Sequence, residues 1–86
     1  MNHEPHHFVH LEMHRGFNVG RTTTGLIVYL HEGFSFVEFF RDRGYIFLRC
    51  EVQDCPGRGA IFPPNDYSNV FSESYCHTHD ARYPAF

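Results

Sequence analysis

Phe34-Ser35-Phe36-Val37-Glu38-Phe39-Phe40, Arg41-Asp42-Arg43-Gly44 and Tyr45-Ile46-Phe47-Leu48-Arg49-Cys50 follow one another without a break, and their pattern decides the fold. The first segment is rich in aromatic and β-branched side chains and predicts a strand. A period of two puts Phe34, Phe36, Glu38 and Phe40 on one face, with Ser35, Val37, Phe39 and Arg41 on the other. Arg41 to Gly44 is a polar turn with a glycine free to take positive φ, so residues 45–49 return as the second arm of a hairpin. Cys50 closes that arm.

Upstream, Leu26, Ile27, Val28, Tyr29 and Leu30 form a short apolar run suited to a buried strand, and Glu32-Gly33 is the turn after it. Downstream, Pro56, Gly57 and Gly59 punctuate a link to Ala60-Ile61-Phe62, and Pro63-Pro64-Asn65-Asp66 is a strong turn. A last strand is expected over residues 70–79. No segment beyond a turn or two carries helical periodicity. The expected fold is mostly β: a small four-stranded antiparallel sheet over residues 22–80, with one end in need of a clamp. Residues 1–21, rich in histidine and broken by Pro5, Gly16 and Gly20, read as a flexible N-terminal arm, and residues 81–86 as a tail. His3, His6, His7, His10 and His14 include spacings of three and four that would place several on one helical face, where they could hold a second metal. Pro5 interrupts such a helix and no cysteine completes the site, so a solvated arm is expected.

The composition narrows the function classes. The 86 residues include ten Phe and five Tyr, too aromatic for a disordered chain, and no run is long enough to span a bilayer, so no membrane partner is expected. Seven Arg and no Lys stand against ten acidic residues, for a formal charge of −3, which argues against indiscriminate binding of polyanions. The opening MNHEPHHFVH has neither the basic end nor the apolar core of a secretory signal. Three cysteines leave one unpaired in any disulfide scheme, which suits a reducing, intracellular compartment. One domain this small then needs a support other than disulfides, and a structural metal is one.

The donors for such a metal are Cys50 and Cys55, with four residues between them, and His77 and His79 farther on. Thiolate and imidazole are the preferred ligands of zinc, and four of them make a closed structural site. Cys50 ends a strand, and the loop 51–54 returns Cys55 to the same point. On a strand, His77 and His79 share a face while Cys76 points away. A distortion at the strand end would exchange Cys76 for one of the histidines. Two rivals are small buried thiols and a Cys50–Cys55 disulfide, the latter disfavoured by the leftover Cys76. An enzyme is not expected: four protein ligands leave no position for a metal-bound water, and no nucleophile has a recognisable base.

Gly33-Phe34-Ser35-Phe36, the run Tyr45 to Cys50, Cys55-Pro56-Gly57-Arg58-Gly59 and His77-Thr78-His79 together resemble the FLYWCH-type zinc finger, a family related in fold to the WRKY and GCM DNA-binding domains. The resemblance implies a single structural zinc on Cys50, Cys55, His77 and His79, with Phe47 at the family's Tyr position and Leu48 at its Trp position. It also implies a nuclear setting, in chromatin or transcription regulators, where some members read DNA and others dock proteins. Residues with a recognition role here would be Phe34, Phe36 and Phe39, on a strand apolar on both faces, and Arg41, Arg43 and Arg58. The second face of that strand is either a docking surface, for a foreign protein or a second copy, or is covered by the arm or by Tyr83-Pro84-Ala85-Phe86. Arginines suit phosphate and guanine edges, but Glu38, Asp42, Glu51 and Asp54 lie close enough for ordinary pairing. The acidic charge and surplus apolar positions favour a protein partner over DNA.

Overall fold

The computed structural model describes residues 5–62 and 70–84. Seven antiparallel strands lie side by side in sequence order: β1 (His10–Met13), β2 (Asn18–Arg21), β3 (Ile27–His31), β4 (Phe34–Asp42), β5 (Tyr45–Cys50), β6 (Arg58–Phe62) and β7 (Val70–Ser74). There is no helix among the described residues. The sheet curls into a half-barrel, bringing Phe17, next to β2, within 5.6 Å (ring centroids) of Phe71 on β7. The concave face holds the core: Phe17, Tyr29, Phe36, Leu48, Cys50, Cys55 and Ile61, with Phe34, Ile46 and Phe71 packed against them.

The expected four-stranded sheet is corrected to seven strands. Residues 10–21, read as part of an arm, form the first hairpin, paired from His10↔Arg21 to Met13↔Asn18. All four residues of β1 are exposed. It is held by ladder hydrogen bonds rather than by buried side chains, so apolar patterning gave no sign of it. The preceding segment is also pinned. His6 N–H donates to the Tyr83 hydroxyl (2.9 Å), and the Phe8 ring lies where a Cβ on Gly20 would stand, at 2.6 Å. The link after Cys55 is a full strand, β6, in register with β5 from Ile46↔Ile61 to Arg49↔Arg58. The last strand stops at Ser74, because Tyr75 takes a left-handed φ of 67° and turns the chain off the sheet. The turn expected at residues 63–66 lies outside the described residues.

Strict alternation also fails inside β4. A β-bulge between Glu38 and Phe40 shifts the register, so Phe36 faces Cys50 but Phe40 faces Phe47. One extra residue reverses the facing of everything beyond it. Phe34 and Phe36 thus point into the concave face, while Phe40 joins Phe47, Tyr45 and Phe62 on the convex one. Their rings form a ladder: Phe40 stacks on Phe47 (4.4 Å), and Tyr45 meets Phe62 edge-on (5.5 Å). Among the described residues, Phe8 and the Tyr83 segment cover the convex face near Gly20 and Gly33. Phe39 and Phe40 remain 48% and 47% exposed.

Phe36 is completely buried, which corrects its assignment to a partner surface. Phe36→Ala should destabilise the domain by about 3–5 kcal/mol, whereas Phe39→Ala should change stability by no more than about 0.5 kcal/mol. Urea denaturation of the two variants checks both.

Candidate metal centre

Two turns bring the four expected ligands together. Cys50 is the last residue of β5, and its N–H donates to the Gly57 carbonyl (3.0 Å). The chain reverses through residues 52–55, where Cys55 N–H donates to the Val52 carbonyl (3.2 Å) and Asp54 takes a φ of 66°. From the other side, the left-handed Tyr75 swings His77 and His79 toward the cysteines. The histidines are therefore not i and i+2 on a strand, as expected, but on an irregular segment after it.

The sulfur and nitrogen donors of Cys50, Cys55, His77 and His79 lie within 4.8 Å of one another and could bind one metal ion, consistent with zinc. Cys50 Sγ is 3.2 Å from His79 Nε2, and Cys55 Sγ is 3.4 Å from His77 Nδ1. The two imidazoles thus present different nitrogens. The remaining nitrogens are occupied: His79 Nδ1–H donates to the Asp80 carbonyl (2.9 Å), and His77 Nε2 lies 2.5 Å from Glu73 Oε1. Such outer hydrogen bonds fix a ligand's tautomer and ring direction. All three cysteines are free, and Cys76 is exposed and outside the cluster.

Several residues with an expected recognition role line this site. The Phe34 ring stacks on His77 at 3.8 Å and meets His79 edge-on, and Phe36 meets His77 edge-on. Arg58 folds back on the metal loop, donating from Nη1 to the carbonyls of Gly57 (2.8 Å) and Cys55 (3.4 Å). Arg41 pairs with Glu38 across the bulge. Arg43 and Phe39 stay exposed on the β4–β5 hairpin, Arg43 in its turn with a φ of 51°. Sequence reasoning does not reach Glu73, and it reads Gly57 only as a break in the link and as part of the Cys55–Gly59 motif. A Cβ on Gly57 would stand 2.6 Å from the His77 ring, so glycine is what admits that ring.

The two thiols differ electrostatically. Burial pushes Cys50 up to about 11, only partly opposed by the Val52 N–H. Burial also acts upward on Cys55. It is outweighed by the N–H groups of Gly57 and Thr78, with Cys50 and His77 adding, and Cys55 falls to about 6. The surroundings thus favour the anion at Cys55 and the neutral thiol at Cys50.

No family model matches the chain, and no curated protein or solved structure does either.

Zinc displaces the protons of both thiols as it binds, so zinc affinity should fall steadily as pH is lowered from about 8 toward 6, which a competition titration at several pH values reads directly. Gly57→Ala, by displacing the His77 ring, should weaken zinc affinity on the order of tenfold or more in a competition titration.

Proposed function

We propose that the domain is a zinc-stabilised recognition module of the FLYWCH type that docks a protein partner. The observation that carries the reading is the closed set of two thiols and two imidazoles joining the end of β5 to the segment after β7. With four protein donors the ion is structural, and no open position is left for chemistry. Structural zinc contributes on the order of 10 kcal/mol of apparent binding energy, comparable to the whole net stability of a small domain. The same four residues carry the FLYWCH resemblance, and with it a nuclear setting among chromatin or transcription regulators.

Docking is assigned to the outer aromatic ladder of Phe40, Phe47, Tyr45 and Phe62, with Phe39 at its edge. Aromatic side chains are enriched at the cores of protein interfaces, where they supply large area at little conformational cost. The partner expected there is an apolar protein surface. DNA reading is the alternative. Of the arginines it would use, Arg58 is engaged by loop carbonyls and Arg41 by Glu38.

Removal of zinc with EDTA should abolish the β-sheet dichroism and the cooperative thermal transition, and readdition should restore both. An unchanged far-ultraviolet spectrum after complete chelation would sink the structural-zinc reading. For docking, zinc-loaded protein carrying Phe40→Ser and Phe62→Ser should keep its thermal midpoint and lose the proteins that the unaltered domain captures. That capture should persist between roughly 50 and 200 mM salt, whereas phosphate-driven binding falls steeply over that range. Tight, salt-sensitive gel shifts with a random duplex pool would favour DNA instead.

A further inference from the structure

We infer that Glu73 is a positioning residue of the metal site, and that its second carboxylate oxygen ties that site to the β3–β4 turn through His31. The inference rests on the proposed binding of an ion by Cys50, Cys55, His77 and His79. Glu73 Oε1 lies 2.5 Å from His77 Nε2, and Glu73 Oε2 lies 2.6 Å from His31 Nδ1. A carboxylate only accepts, so both ring nitrogens are donors: His77 carries its proton on Nε2 and His31 on Nδ1. That leaves the lone pair of His77 on Nδ1, the nitrogen turned toward Cys55 Sγ. Glu73 thereby selects the tautomer that can ligate. It also holds the ring from the side opposite the sulfurs, while Phe34 holds its face at 3.8 Å.

The second oxygen extends the device. His31 ends β3, at a turn made by Glu32 (φ 51°) and Gly33 (φ 84°). Its ring stacks on Phe71 of β7 at 4.4 Å, nearly parallel. Strands β3 and β7 are not neighbours in the sheet, so this stack and the Glu73 hydrogen bond bridge the open side of the curl. Glu73 is half-buried, and its only ion-pair partners among the described residues are these two histidines. Carboxylate, two imidazoles and a phenyl ring thus connect an ion ligand to the closure of the half-barrel. His31, Glu32 and Glu73 also come near enough to one another to attract a second ion. Both Glu73 oxygens are already taken by imidazoles, which favours the hydrogen-bonded arrangement.

Zinc competition against a chromophoric chelator, run on the unaltered chain and on Glu73→Ala, Glu73→Gln and His31→Phe, tests the assignment. Glu73→Ala should lower zinc affinity about 10–100-fold, the range seen when an outer hydrogen bond to a ligand is lost. Glu73→Gln, whose amide oxygen still accepts from His77, should lose less. His31→Phe, which keeps a ring on Phe71, should lose least. Nitrogen-15 spectra of the zinc-loaded histidine rings give the readout that a merely structural role would not move. In the unaltered chain His77 should carry its proton on Nε2 with slow exchange, and Glu73→Ala should abolish that slow exchange. Should Glu73→Ala fail to fold, Glu73→Gln decides by the same two measurements. Zinc affinity unchanged in folded Glu73 variants, or native mass spectra with two ions per chain, would overturn the positioning role and leave the four-ligand site intact. No zinc uptake by the unaltered chain would instead remove the site itself, and this inference with it.

Discussion

Closure of a curled sheet is the constraint on which this small protein depends. A meander of seven strands pairs every strand with its sequence neighbours, but local pairing does not bring the two ends of the curl together. Among the described residues the contacts that do so are few: Phe71 against Phe17, Phe36 and His31, the Glu73–His31 hydrogen bond, and the cluster of Cys50, Cys55, His77 and His79. Fully buried side chains are scarce among them too, with Phe36, Leu48, Val28 and Cys50 the largest. A core of that size supplies little surplus over chain entropy, which is the setting in which small domains use metals. The half-barrel and its four donors are two aspects of one arrangement, because the segment that completes the site also completes the curl.

The donor set was legible in the sequence because residue chemistry and spacing are local. Cysteines separated by a loop, and histidines one residue apart, announce themselves before any fold is known. The β4–β5 hairpin was legible for the same reason, from apolar strands flanking a polar turn. The number of strands was not. β1 has no buried side chain, and β6 is short and contains Gly59, so neither carries an apolar period to detect. Tyr75 hid the end of β7, since a left-handed tyrosine has no sequence signature. What Phe34, Phe36 and Arg58 pack against was not legible, because strand alternation shows that a side chain has a facing, but not what stands opposite. His77 stands opposite Phe34, and loop carbonyls stand opposite Arg58.

Polar chemistry around the cluster is graded in depth. Cys50 lies within the core, where burial favours its neutral form, whereas Cys55 sits among N–H groups that favour its anion. Histidine orientation comes from two kinds of acceptor, a backbone carbonyl for His79 and a carboxylate for His77. The chain segment around His6 adds a polar cover, with His6 and Ser35 both bonded to the Glu51 carboxylate beside Cys50. The residues of this cover come from distant parts of the chain, which is why the metal loop is held from several directions.

The irregularity at Phe39 separates two environments along one strand. Before it, Phe34 and Phe36 are committed to the interior, and a change there disturbs the fold. Beyond it, Phe40, Arg41 and Asp42 meet solvent and can drift without cost to the scaffold. Related chains could therefore diversify what the far half of β4 displays while inheriting an unaltered framework. One inserted residue gives the molecule a boundary between what must be preserved and what is free to be reinvented.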